Sequence, residues 1–103
     1  MSPTKRTLDE CKRRGYIAQV VERFNMFAKV RVDLFGVIDL VAITPDGILG
    51  IQACAGSSHA TRRTKMLAEP RMTEWCKHAK LAIWSWRKAA NGRWTLREEA
   101  VVV

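Results

Sequence analysis

The sequence has no run of about 18 apolar residues, the length a helix needs to cross a bilayer, so a helical membrane span is excluded. Its first residues are polar and basic with no apolar stretch behind them, which argues against a secretory signal. Cysteine is scarce and odd in number. Cys11, Cys54 and Cys76 show no paired close spacing, which fits a reducing compartment better than a disulfide framework. Cys76 and His78 lack the second close pair that a zinc site would need. Internal repeats and low-complexity tracts are absent, and 103 residues can bury one core but hardly two. A single domain over 1–103 is expected, with residues 1–6 as a frayed basic tail, in the cytoplasm or on the nucleoid.

Acid is also in short supply. Against 18 Lys and Arg stand 10 Asp and Glu, leaving a net charge of +8, which on so small a domain favours a polyanionic partner such as nucleic acid. The bland alternative is a basic surface that serves solubility alone.

The informative stretch runs from Asp33 to Lys65. Asp39 opens the apolar run Leu40 to Ile43, the run stops at Thr44-Pro45-Asp46-Gly47, and a second run follows from Ile48 to Cys54. Two apolar runs joined by so short a turn predict an antiparallel hairpin. If Ile43 faces Ile48, Asp39 faces Gln52, and opposed side chains lie roughly 5 Å apart. Alternation points Cys54 to the same face. Gly56-Ser57-Ser58 then leads into a helix over Ala60 to Ala68, ended by Glu69-Pro70, whose start carries His59 and whose basic residues are Arg62, Arg63 and Lys65.

Elsewhere, Thr7 and Glu10 have capping-box spacing, predicting a short helix through Arg14 that Gly15 closes. Lys12, Arg13 and Arg14 on that helix are either phosphate contacts or solvated charges. Tyr16 to Phe24 reads as the first strand, Asn25 to Lys29 as a turn, and Val30 to Leu34 as the return, with a bulge or bend at Gly36. On a regular strand Asp33 and Asp39 would lie about 20 Å apart, so Asp33, like Glu22, joins Asp39 only if the chain folds at Gly36. Met72 to Ala79 reads as a helical turn, Leu81 to Trp86 as a strand, Asn91-Gly92 as a hairpin loop and Trp94 to Val102 as the last strand. Trp84, Trp86 and Trp94 read as core or dimer-interface anchors, and with four tryptophans in the chain a homodimer is expected.

An Asp heading one strand, a following hairpin strand with an acid-any-lysine triplet, and then a helix resembles the core of the PD-(D/E)XK nucleases, nearest their small Holliday-junction-resolvase and VRR-NUC branches. The resemblance spans roughly the whole chain in the order helix, strand, strand, strand, helix, strand. Here Gln52 stands at the family's acid position and Cys54 at its lysine. The resemblance implies an α/β fold, a mixed sheet of four to five strands flanked by helices, and a metal-dependent DNA endonuclease with Mg²⁺ or Mn²⁺ and branched or junction DNA as candidate substrate. In that reading Asp39, the Gln52 side-chain oxygen and the Ala53 carbonyl supply metal ligands, only one of them charged, and Asp39 is a strand-end acid facing solvent. The family's additional acid comes from its first helix, where Glu10 is the counterpart; Glu22 and Asp33 are conditional site acids. Lys65, or Arg62 or Arg63, supplies the cation that Cys54 cannot. His59 is either a general acid or base or a phosphate contact. The alternatives are a DNA-binding module with a decayed site, motivated by Gln52 and Cys54, and a protein-interaction role for the basic face.

Overall fold

Structure begins at Ser2, in a computed structural model that describes residues 1–103. The Ser2 hydroxyl accepts a hydrogen bond from the Lys5 N–H at 3.1 Å, and Pro3 fills the first helical position, where its missing N–H costs nothing. Helix α1 therefore spans Pro3–Arg13 and starts inside the stretch expected to fray; Ser2 rather than Thr7 caps it. Thr7 is instead buried and accepts from the Trp86 indole N–H at 2.9 Å.

The chain continues through β1 (Ile17–Val20), β2 (Arg23–Asn25), β3 (Val30–Val32), β4 (Leu40–Thr44), β5 (Gly47–Ala55), α2 (His59–Ala68), α3 (Arg71–His78), β6 (Lys80–Lys88) and β7 (Trp94–Ala100). The long first strand expected from the sequence is two strands. It breaks because the Asp39 carbonyl accepts from both Val21 N–H (2.8 Å) and Glu22 N–H (3.3 Å), two residues opposing one as in a bulge. Beyond the break, β2 and β3 pair only with each other.

The main sheet has the order β1-β4-β5-β6-β7, with β5 and β6 parallel and the other neighbours antiparallel. It is thus a mixed five-stranded α/β sheet. Helices cover both faces. Cys11 of α1 packs with Leu40, Ala42, Ile51, Ala53 and Trp84 on one side; Met66 of α2 and Met72 of α3 pack with Ile38, Cys54, Leu81 and Ile83 on the other. The tryptophans are used within the chain. Trp84 is buried, Trp75 donates to the Lys80 carbonyl, Trp86 reaches Thr7, and Arg6 lies 3.8 Å over the Trp94 ring. Trp94 nevertheless keeps 43% of its surface exposed.

Gly50 is the tight point of this packing. A Cβ there would stand 2.9 Å from both Ile38 Cδ1 and Trp75 Cζ2. Gly50→Ala should therefore lower stability in urea by about 1–3 kcal/mol, because the ring and Ile38 must move apart.

Candidate metal and phosphate site

Asp39 sits where three backbone segments meet. Its N–H donates to the Ile51 carbonyl at 2.9 Å, and its own carbonyl receives the β1 end as described. Its Oδ2 accepts from Gln52 Nε2 at 2.6 Å and from the Ala53 N–H at 2.9 Å. The register Ile43↔Ile48 and Leu40↔Ile51 is the one expected, and it delivers Asp39 against Gln52. Asp39 is not solvent-facing, however, but 3% exposed.

Six residues earlier, Asp33 reaches the same place because the chain reverses between them. Phe35 and Gly36 both have positive φ, and the Val37 and Ile38 N–H groups return to the Leu34 carbonyl. Glycine takes that backbone at no steric cost; Phe35 does not. Phe35 is held by Trp75, edge-on at 6.4 Å between ring centres, and by Arg71, which bonds its carbonyl. The condition placed on Asp33 is met. The bulge at Val21-Glu22 brings in the third acid, and carboxylate oxygens of Glu22, Asp33 and Asp39 all lie within 4.8 Å of one another. Glu22 is tied to Arg31 at 2.7 Å.

These acids line a pocket of about 460 Å³ with Gln52, Arg62 and Lys65. Arg62 and Lys65 stand three apart on α2, so one helix face presents both. Burial first, and then the neighbouring Asp33 carboxylate, push the Asp39 pKa up to about 8, against a smaller downward pull from the Ala53 N–H. Gln52 is 1% exposed, and its Oε1 is the one buried side-chain polar atom without a hydrogen-bond partner. A buried acceptor left unpaired costs about 1–3 kcal/mol, so this oxygen is free to accept from a water or to face a cation.

The donor set suits a hard divalent cation: carboxylates and an amide oxygen, with no thiolate. Cys54 lines the pocket too, but burial raises its thiol pKa despite Arg62 nearby, so it stays protonated at neutral pH. Three carboxylates thus meet where one was expected, with Gln52 beside them. Ala53 contributes its N–H to Asp39.

Other expected site residues lie elsewhere. Glu10 pairs with Arg13 and Arg14, the Arg13 bond foremost in drawing its pKa down to about 2. Arg14 also bridges to Glu98 and lies 4.6 Å from the Trp84 ring centre. With Lys12, these residues occupy the end of α1 opposite to Pro3 and Thr4, which line the acidic pocket; an 11-residue helix separates its ends by about 15 Å. His59 is 3% exposed, and both of its ring nitrogens are engaged within the chain rather than presented at the surface. Its Nδ1 meets Ser85 Oγ at 2.6 Å and its Nε2 meets Glu99 Oε1 at 2.7 Å, pinning the start of α2 to β6 and β7. Arg63 shares Glu99 at 2.8 Å. Arg31 was not singled out in the sequence; its pairing with Glu22 depends on the bulge.

No protein-family model matches this sequence, and comparison with the curated proteins and with the solved structures found no match.

The Asp39 carboxyl gives a pH signature. With its folded pKa raised, its contribution to stability is full below the ordinary value near 3.8 and is lost as pH rises through about 8. The lowered Glu10 and Glu69 lose theirs only below about 4.5. In EDTA, the melting temperature should therefore rise as pH falls from 8 to 5, and Asp39→Asn should flatten that slope.

Proposed function

We propose that this chain is a metal-dependent DNA endonuclease of the PD-(D/E)XK type, with branched or junction DNA as its candidate substrate. The observation that carries the reading is the convergence of Glu22, Asp33 and Asp39 in one pocket, which Gln52, whose buried side-chain oxygen has no partner in the chain, also lines. The order helix, strand, strand, strand, helix, strand, read through α1, β1, β4, β5, α2 and β6, supports it, with the β2–β3 hairpin interposed after the first strand, α3 after α2 and β7 after β6. So does the net charge of +8.

Glu22, Asp33 and Asp39, with the Gln52 oxygen beside them, would hold Mg²⁺ or Mn²⁺. The ion would polarise a phosphodiester and lower the pKa of the attacking water. The residues of the chain do the rest. The Gln52 amide N–H and the Ala53 N–H fix Asp39 in one rotamer. Lys65 and Arg62 face the same pocket and can bind non-bridging phosphate oxygens, stabilising the charge that grows on them. Lys65 is the cation that stands in for the one Cys54 cannot provide.

Cleavage of plasmid and four-way-junction DNA should appear with Mg²⁺ or Mn²⁺ and vanish in EDTA. Asp39→Asn should abolish it. This variant is preferable to alanine, which would orphan two buried donors at about 1–3 kcal/mol each. Lys65→Ala should slow cleavage by about 10²–10³, while Asp46→Ala in the distant β4–β5 turn should leave it unchanged. Full activity in Asp39→Asn and Lys65→Ala would refute this site. Metal-independent binding without cleavage would instead favour the decayed DNA-binding module, for which the Gln52 to Asp39 hydrogen bond is the supporting observation, since it occupies a carboxylate oxygen that a metal would use.

Symmetric cleavage of two strands is served by a homodimer. The surface offered to a second copy is the β2–β3 hairpin, where Phe24, Met26, Phe27 and Val30 are exposed. Light scattering at high micromolar concentration should give twice 11.7 kDa. A monomer would remove the dimer from the proposal and leave the site chemistry intact.

A further inference from the structure

A second concavity, of about 440 Å³, begins where the acidic pocket ends. Cys54, Ala55 and Ser58 line the acidic pocket, and Gly56 and Ser57, between them in the chain, line this one. Ser85 and Arg87 of β6 and Thr95, Leu96 and Arg97 of β7 complete its wall. Strand alternation puts Ser85 and Arg87 on one face, and cross-strand pairing sets Arg97 opposite Ser85 and Thr95 opposite Arg87.

The placement of Arg87 depends on a glycine. A Cβ at Gly56 would lie 3.3 Å from Arg87 Cβ and 3.8 Å from its Cδ, so the arginine stem rests directly on the turn. The Thr95 hydroxyl donates to the Arg87 carbonyl at 3.2 Å. Neither Arg87 nor Arg97 takes part in an ion pair, although ten others exist in the fold. The nearest carboxylate along that face of β7, Glu99, is already engaged by His59 and Arg63. Glu98 points to the other face and pairs with Arg14. Two guanidinium groups thus share one concavity with no anion of the chain to balance them. Guanidinium is the side chain best matched to phosphate, through its planar fork of donors.

The spacing relates this concavity to the acids. Cys54 on β5 pairs with Ser85 on β6, and Ser85 with Arg97 on β7. Two strand spacings place the Arg97 backbone about 10 Å from that of Cys54. Phosphates repeat at about 3.4 Å of helix axis along each strand, so one backbone can reach both places. We infer that the Arg87–Arg97 concavity binds a backbone phosphate of the same nucleic-acid strand, a few nucleotides from the one presented to the acidic cluster. The inference rests on the hydrolase reading for the direction of the strand, but binding at this concavity requires no metal and no chemistry.

The test is therefore made in EDTA, with fluorescein-labelled duplex and single-stranded DNA of 20 nucleotides over a salt series. The double variant Arg87→Ala/Arg97→Ala should bind duplex about tenfold or more weakly. Its log-log salt slope should shrink by about 0.9 for each phosphate that the variant no longer neutralises. Arg97→Lys, which keeps the charge, should recover part of the affinity. Unlabelled strands with and without a terminal phosphate, used as competitors, separate a backbone site from an end-binding one: equal competition supports the inference. Competition that requires the terminal phosphate overturns it. So does an unchanged affinity and slope in a double variant that melts like the wild type. If inorganic phosphate shifts the Gly56 and Ser57 amide signals while DNA affinity is untouched by the substitutions, the concavity is a free-anion site and the inference fails. Wild-type protein that never cleaves, yet needs both arginines to bind DNA, sinks the hydrolase reading and upholds this one.

Discussion

The carboxyl group of Asp39 is the constraint on which the candidate site depends. Its side chain fastens β5 through Gln52 and Ala53, while its backbone fastens both the β1 end and Ile51. A charged group 3% exposed is expensive to bury, and two hydrogen bonds offset only part of the cost. What remains appears as a pKa near 8, raised first by burial and then by Asp33. A carboxyl in that condition favours either a proton or a cation beside it over the bare anion. Three carboxylates within 4.8 Å of one another make the second state more favourable than it would be for one acid alone.

The hairpin register was legible in the sequence because the β4–β5 turn is so short. With Thr44-Pro45-Asp46-Gly47 as the turn, Ile43 has one possible partner, and Asp39 then falls opposite Gln52. The α2 boundaries were legible for a similar local reason, since Glu69-Pro70 stops the helix. The start of α1 was misread because basic composition suggested fraying, although Ser2-Pro3 is a strong initiating pair whose cap is a local hydrogen bond.

The acid cluster was only half legible. Gly36 signalled a bend, but nothing local required Phe35 also to take positive φ; that backbone is stabilised by Arg71 and Trp75, far downstream on α3. Glu22 joins the cluster through a bulge whose acceptor is the carbonyl of Asp39, again a contact between distant segments. The burial of His59 was not legible for the same reason. Its partners, Ser85 and Glu99, arrive from strands laid down after the helix, and no pattern around residue 59 announces them.

The arrangement of charge separates holding DNA from acting on it. Glu22, Asp33 and Asp39 repel phosphate in the absence of a cation, and with Asp39 protonated they bind one less readily. Arg62 and Lys65 on one side and Arg87 and Arg97 on the other carry no internal ion pair and flank the turn at Gly56-Ser57-Ser58. In the proposed reading the basic groups therefore set where the backbone lies, largely independently of metal. The acids become compatible with a phosphate only once a divalent cation has neutralised them. Binding and cleavage should then differ in their response to solution conditions: salt weakens the first through counterion competition, whereas metal and pH govern the second through the protonation of a single buried carboxyl.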